Sequence, residues 1–444
     1  MAIYLHWYNN IEDFEENYWG GNYVEPWVSV TADGGEKQLD FDREDYKELF
    51  KTPLTFEFKE GGEFYFYYDA ITDEYTKTVT YSLNGGPKVQ VTPTSENTIT
   101  VEVEQGDVIQ VWGDNATYSH RINSSENAYF FFGSDCEFDV KGNIMSLIRS
   151  NGFEELFSFS AETTFSHLFF GCGNLSRADK LILPAIELTD RCYADMFNGC
   201  TNLIQAPELP ATTLVESCYH QMFYGCTSLT SAPELPATTL ANYCYYHMFR
   251  GCTSLTQAPE LPATTLTEYC YNNMFRGCTS LTSAPELPAT TLAYSCYSNM
   301  FNGCTRLTTA PVLPATTLTD YCYSSMFNGC TNLTQAPELP ATTLAQDCYS
   351  YMFQGCTSLT IAPELPATTL ANYCYRQMFL SCTNLNYIKC LATNISASNC
   401  TYNWVSGVQT SSGTFVKSAS ADWSSKTGND GIPAGWTVES YTLS

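Results

Sequence analysis

The most regular feature of the chain is a pattern of apolar positions that returns every 26 residues. A Met-Phe pair recurs at this spacing with no insertion or deletion, starting at Met196, Met222, Met248, Met274, Met300, Met326, Met352 and Met378. A less regular unit precedes these at residues 168–172, and a fading one follows through Cys400 and Trp404. A fixed period of this length predicts stacked structural repeats with atypical units capping both ends.

The first half of each unit has the spacing of a short helix. In TTLANYCYYHMFRGC, residues 238–252, the apolar residues Leu240, Cys244 and Met248 lie four positions apart. Apolar residues three or four positions apart share one face of an α-helix. The threonine pair at the start suits a helix N-terminus, and Gly251 suits the position after its end. We therefore expect one short helix per unit.

The second half of each unit has the pattern of a short strand. CTSLTQAPELPA, residues 252–263, spaces apolar Leu255, Ala258 and Leu261 among polar residues. Its two prolines cannot donate to a strand ladder, so the strand should be short and broken. One strand and one helical turn per unit predict an α/β solenoid of the leucine-rich repeat type, which we place at residues 149–404. A C-terminal cap is expected at 405–444.

Residues 52–148 are predicted to form an all-β domain. LTFEFKEGGEFYFYY places two alternating segments around Gly61 and Gly62, and TKTVTYSLNGGPKVQV places two more around Asn84 and Gly85. Alternating segments joined by such turn residues are typical of β-hairpins. Several hairpins in succession predict a β-sandwich-like domain in front of the solenoid.

Residues 1–51 differ in composition from the rest. Residues 1–50 contain twelve Asp and Glu against three Lys and Arg, and aromatic residues are dense among the first 27. The segment is too aromatic for a disordered tail and too short for its own core. It either completes the following β-domain or anchors the protein in a larger assembly, in which case the anchor residues would be Trp7, Tyr8, Trp19 and Trp27.

Charge and motif content argue against several functional classes. Acidic residues outnumber basic ones 47 to 20, a net charge of −27, so we expect no nucleic-acid partner. The N-terminus lacks the basic and apolar regions of a secretory signal, and no apolar run approaches the length of a membrane span. No catalytic, metal-binding or cofactor motif is recognisable around the five histidines: His6, His120, His167, His220 and His247. We expect no enzyme activity, no metal and no cofactor.

Three further residue types recur in columns along the repeats. Sixteen of the twenty cysteines form two columns whose members lie eight residues apart within a unit, too far for zinc-binding pairs, so we expect buried reduced thiols. A tyrosine follows each cysteine of the first column, and we expect its ring in the core and its hydroxyl in water. Acidic residues form an exposed column: Glu208, Glu234, Glu260, Glu286, Glu338 and Glu364.

The repeat motif resembles that of a known family. FRGCTSLTQAPELP, residues 249–262, is similar to the BspA-type leucine-rich repeat of surface proteins from gut and oral bacteria and of phages that infect them. The tail, residues 413–439, resembles the segment that closes such arrays. LTFEF, YSLNGG and VKGNIMSLI resemble the β-domain that often precedes them. The resemblance implies an extended binding or adhesion module without catalytic activity.

The sequence therefore predicts a recognition protein. The first hypothesis is a phage fibre or decoration protein on the virion, which contacts phage structural proteins through its N-terminal segment and a host surface glycan or protein through its repeats. The alternative is a bacterial cell-surface adhesin, and an intracellular scaffold is a third. The repeats differ from one another at few positions, and these include the predicted ligand-binding residues Tyr224, Tyr246, His247, Arg250 and Arg276.

Overall fold

The computed structural model describes residues 28–30, 36–38, 43–121, 127–408, 412–426 and 428–442. The strands are β1 (Val28–Val30), β2 (Glu36–Gln38), β3 (Leu54–Phe58), β4 (Gly62–Asp69), β5 (Val79–Leu83), β6 (Val89–Val91), β7 (Ile99–Val103), β8 (Val108–Gly113), β9 (Ser119–Arg121), β10 (Asn127–Ser134), β11 (Phe138–Asn143), β12 (Leu175–Ile182), β13 (Tyr387–Cys390), β14 (Thr414–Ser418) and β15 (Thr437–Tyr441). One α-helix, α1 (Arg43–Lys51), is described, with 3₁₀ turns at Asp73–Tyr75, Ile144–Leu147, Phe153–Glu155 and Gly428–Asp430.

An N-terminal β-domain is built from two sheets packed face to face. One sheet has the strand order β7-β4-β10-β9, and the other has the order β12-β11-β3-β8-β5-β6. Alternating residues of their strands point inward, and phenylalanines dominate the space between the sheets. The ring of Phe56 on β3 lies 4.6 Å from that of Phe64 on β4 and 4.9 Å from that of Phe132 on β10.

The six-stranded sheet of the β-domain continues into the repeats. β12 pairs in parallel with β11, and Arg177 on β12 forms a parallel bridge with Gln205 in the next unit. Single-residue parallel bridges then recur 26 residues apart in two columns, Gln205–Ser231, Gln257–Ser283, Ser283–Thr309 and Thr309–Gln335 in one, and Thr213–Thr239, Thr265–Thr291 and Thr317–Thr343 in the other. The predicted broken strand is thus reduced to one bridged residue. We call the units between residues 165 and 404 the repeat stack.

The far end of the repeat stack regains regular β-structure. Ile361 bridges Tyr387 at the start of β13, and β13, β14 and β15 form a three-stranded parallel sheet. Buried Trp404 stacks on Trp423 from the tail at 5.6 Å. The tail therefore extends the stack and covers its last core layer.

The predicted helix in each unit is wrong. In the described repeat stack this segment is a chain of turns in which amides alternate between two kinds of acceptor. The Met222 amide donates to the Tyr219 carbonyl three residues back at 3.2 Å, whereas the Phe223 amide donates to the Met248 carbonyl of the next coil at 3.0 Å. An α-helix would use both amides inside its own segment. Half of the amides instead tie neighbouring coils together.

Stacked aromatic rings fill the centre of the repeat stack. Phenylalanines of successive coils stack from Phe169 to Phe379, beginning with Phe169 on Phe197 at 5.3 Å and continuing at similar spacings. A parallel tyrosine ladder runs from Tyr193 to Tyr375. The tyrosine rings are core residues, as predicted, but the prediction that their hydroxyls reach water is wrong. Four of these hydroxyls are buried without a hydrogen-bond partner: Tyr193, Tyr219, Tyr271 and Tyr323.

All twenty cysteines are free and buried. In the column after glycine, each thiol donates to the phenylalanine carbonyl of the preceding coil, as Cys226 does to Phe197 at 3.1 Å. Burial raises the pKa of these thiols, for example that of Cys278 to about 12. The cysteines of this column are therefore neutral packing groups, and each also adds one weak hydrogen bond between coils.

Helix α1 lies against the junction of the β-domain and the first repeat. Its buried Leu49 and Phe50 pack with Ile182 on β12 and with the partly buried Phe157. The Asn143 side chain donates to the Phe50 carbonyl at 3.1 Å. The end of the segment predicted as an anchor thus contains a helix that contributes to this junction.

Candidate recognition face

Backbone geometry brings the variable residues of the repeats onto one side of the stack. Twenty-one non-glycine residues between Thr163 and Asn403 have positive φ, most of them in two columns four residues apart. The first column contains Arg191, Ser217, Tyr243, Tyr269, Ser295, Tyr321, Asp347 and Tyr373, and the second contains His167, Asp195, Gln221, His247, Asn273, Asn299, Ser325, Tyr351 and Gln377. A third left-handed column holds glycine in most coils.

We call this surface the variable face. In each coil it comprises four positions: the two non-glycine left-handed columns, the residue before the second column, and the residue after the phenylalanine. In the coil of Met248 these are Tyr243, Tyr246, His247 and Arg250, all partly exposed, while the intervening pairs are buried. The turns thus place two residues outward and two inward in every four. In the next coil, however, Asn272 and Asn273 are buried, contrary to the sequence-based expectation.

The structure brings four of the five predicted ligand-binding residues into contact and places the fifth, Arg276, in the adjoining coil. The Arg250 guanidinium lies over the Tyr224 ring, 5.4 Å from its centroid, and donates to His247 Nδ1 at 3.3 Å. His247 stacks on Tyr246 with ring centroids 3.9 Å apart. Arg276 Nη1 donates to the Asn273 amide oxygen at 3.2 Å. Three neighbouring coils therefore form one cationic and aromatic surface.

His247 is neutral in this environment. Burial, together with the charges of Arg250 and His220, lowers the pKa of His247 to about 3. Its Nε2 atom is buried and has no hydrogen-bond partner. At neutral pH the imidazole therefore acts as an acceptor for Arg250 at one nitrogen and as an aromatic surface, while the positive charge is carried by the two arginines.

A row of tyrosines extends the variable face beyond these residues. Tyr243 stacks on Tyr269 with ring centroids 4.7 Å apart, and Tyr269 contacts Tyr294 edge-on at 5.3 Å. Tyr294 contacts Tyr321 at 5.5 Å. We call these four residues the tyrosine row. Partly exposed aromatic rings in series are suited to contact with the apolar faces of sugars or with another protein.

At its other end the variable face meets the β-domain in a pocket of about 520 Å³, here called the junction pocket. β9 and β10 contribute one wall, which includes His120, Arg121 and Tyr129, and the first coils contribute the other. The two walls are joined by backbone hydrogen bonds, such as that from the Tyr118 amide to the Thr164 carbonyl at 2.8 Å. The pocket therefore lies between two firmly connected parts of the protein.

Acidic and imidazole groups interact on the repeat wall of the junction pocket. His220 Nδ1 lies 3.6 Å from the Asp195 carboxylate, and the His167 ring lies tilted against the Tyr129 ring with centroids 4.0 Å apart. Burial lowers the pKa of His167. Burial alone would raise the pKa of Asp195, but its contacts with His220 and His167 bring it below its usual value. Asp195 is therefore ionised at neutral pH.

The pocket histidines were not recognised from the sequence. His120, His167 and His220 lie far apart along the chain, but the fold places all three around one pocket. Two of them had a detectable signal, because His167 and His220 occupy variable positions of the repeat. The third depends on how β9 docks against the first coil, which no spacing rule predicts.

The other predicted sites have different outcomes. Trp7, Tyr8, Trp19 and Trp27 lie outside the described residues. The acidic column is exposed or partly exposed, and Glu364 pairs with Lys389 at 3.0 Å. Among described residues, no group of three or more His, Cys, Asp or Glu side chains is placed to hold a metal ion. In the same part of the chain, every helix is too short or too polar to span a bilayer.

These features fit a repeat protein with an N-terminal β-domain. A family model described as BspA type leucine rich repeat region matches residues 190–334 and 295–410, in six copies. The prediction of BspA-like repeats is therefore confirmed for this region, about half of the chain. No curated protein sequence matches the chain significantly.

Proposed function

We propose that the protein is a non-catalytic recognition protein whose variable face binds a bacterial surface glycan or protein. The observation that carries this proposal is the contrast between a repeated core and a changing surface. Each of the eight regular coils repeats the same buried cysteine, tyrosine, methionine and phenylalanine, whereas the variable face differs from coil to coil. Stacked repeats commonly use such an extended surface for binding. Similarity to BspA-type repeats supports a surface-binding role.

The proposed location is a phage particle, where the protein serves as a fibre or decoration. In support, residues 1–51 are acidic and rich in aromatic side chains, a composition suited to docking on phage structural proteins. The alternative is a bacterial cell-surface adhesin. Recovery of the chain by mass spectrometry from purified phage particles would favour the first location, and recovery from the surface fraction of intact bacteria would favour the second.

Replacement of Tyr224, Arg250 and Arg276 together by alanine tests the recognition role. Binding of fluorescently labelled protein to a panel of gut and oral bacteria, measured by flow cytometry, should fall to near background for the strains that the parent binds. Substitutions of partly exposed residues usually change stability by only about 0.5 kcal/mol each, so the melting temperature should change little.

A matched control carries alanine at Glu260, Glu286 and Glu338 in the other half of the coil. This variant should bind the same strains as the parent protein. Parent-like binding by the Tyr224, Arg250 and Arg276 variant would contradict the proposed role of the variable face.

A further inference from the structure

We propose that the junction pocket binds one anionic sugar residue, a hexuronic acid or a similar carboxylate-bearing saccharide. This inference rests on the recognition function proposed above and names the class of ligand for one end of the variable face. Its volume of about 520 Å³ lies within the roughly 300–1,000 Å³ typical of small-molecule sites. Its walls are fixed by the bonded contacts between the β-domain and the first coils, so little ordering is required on binding.

The positive charges of the pocket indicate an anionic group in the ligand. Arg121 and Arg191 both line it, and within the described part of the chain neither guanidinium forms an ion pair or a side-chain hydrogen bond. Two guanidinium groups in one pocket are notable on a protein with a net charge of −27. A guanidinium matches the planar oxygen pair of a carboxylate with two parallel hydrogen bonds.

The negative charges of the same pocket argue against a polyanion. Asp195 and Glu216 also line it, and both would repel a phosphate group. Carboxylates are strong hydrogen-bond acceptors, so they suit a ligand that carries several hydroxyl donors. A ligand with one carboxylate and many hydroxyls satisfies both sets of groups, and this combination describes a sugar acid.

The aromatic groups connect the pocket to the rest of the variable face. Tyr129 and Tyr243 contribute rings to the pocket, and Tyr243 is also the first member of the tyrosine row. A sugar acid bound in the junction pocket would therefore place the next sugars of an oligosaccharide over successive tyrosines. The arrangement suits an oligosaccharide better than an isolated sugar acid.

Titration of the full chain with D-glucuronic acid, D-glucose and inorganic phosphate tests the assignment. Saturation-transfer NMR and calorimetry should detect D-glucuronic acid and show much weaker binding of D-glucose. Replacement of Arg191 by alanine should reduce the affinity for D-glucuronic acid about tenfold or more, because it removes a hydrogen-bonded charge. Arg306→Ala, an exposed arginine outside the pocket, should leave that affinity unchanged.

Three results would overturn the assignment: equal binding of D-glucose and D-glucuronic acid, binding of phosphate alone, or parent-like affinity in Arg191→Ala. Circular dichroism and the melting temperature verify that Arg191→Ala is folded, and Arg121→Ala serves as the second variant if it is not. Failure of D-glucuronic acid binding together with loss of cell binding in the Tyr224, Arg250 and Arg276 variant would leave the recognition function standing. Binding of D-glucuronic acid to the pocket without any binding to cells would support the pocket assignment and contradict the recognition function.

Discussion

Non-glycine residues with left-handed backbone conformation in the repeat stack carry an energetic cost. A non-glycine residue in this backbone region is disfavoured by roughly 1–2 kcal/mol, and glycine avoids the penalty. One column is mostly glycine, yet the other two keep side chains such as Arg191, Tyr243 and His247. Backbone strain concentrates at functional sites when the side chain is needed there. This is the residue-level reason to assign binding to the variable face.

The unpartnered tyrosine hydroxyls lead to a stability prediction. Tyr271→Phe should change the free energy of unfolding by less than about 0.5 kcal/mol or increase it, because the buried hydroxyl has no hydrogen bond to lose. Tyr118→Phe is the matched control, since the Tyr118 hydroxyl donates to the Leu147 carbonyl at 2.8 Å and accepts from Asn115. It should cost about 1 kcal/mol or more in urea denaturation. A larger loss for Tyr271→Phe than for Tyr118→Phe would contradict this description of the tyrosine ladder.

At the scale of elements, the repeat segment shows what its spacing could and could not predict. Burial of Cys244, Met248 and Phe249 followed from their period, and it was predicted. The helix was not correct, because a strict period of four also fits turns that repeat every four residues. A true helix of 3.6 residues per turn mixes spacings of three and four. The left-handed φ of 59° at Tyr243 breaks the helix. The sequence gives no indication of it, because tyrosine rarely adopts this conformation.

The same architecture predicts the effect of removing one unit. Deletion of residues 283–308 removes one complete unit and keeps the remaining repeats in phase. Phe275 should therefore stack directly on Phe327, and the bridges between coils should reform. Each coil contacts only its neighbours, so the shorter protein should fold with the same far-UV circular dichroism per residue and a modestly lower melting temperature. Deletion of residues 283–295, half a unit, should prevent folding because the bridge columns no longer align. Equal loss of structure in both variants would contradict the repeat register.

At the scale of the whole molecule, one hydrophobic core runs from the β-domain to the tail, from Leu54 to Trp436. The order of its parts could be predicted, since hairpin turns and the 26-residue period are local signals. The junction pocket could not be predicted, because it depends on the docking of β9 and β10 against the first coil. The contact between the Tyr118 amide and the Thr164 carbonyl, for instance, joins segments that no shared motif connects.

The central claim is that recognition is encoded in the variable face while the core stays constant, and one exchange of residues between coils tests it most directly. The variant Tyr246→Ser, His247→Ser and Arg250→Asn installs the residues that the same positions hold three coils later. The control replaces Glu260, Glu286 and Glu338 by alanine, in the exposed acidic column outside the variable face. Flow cytometry on a strain bound by the parent should show loss of binding for the first variant and full binding for the control, with both melting temperatures close to that of the parent. Full binding by the first variant would contradict the claim.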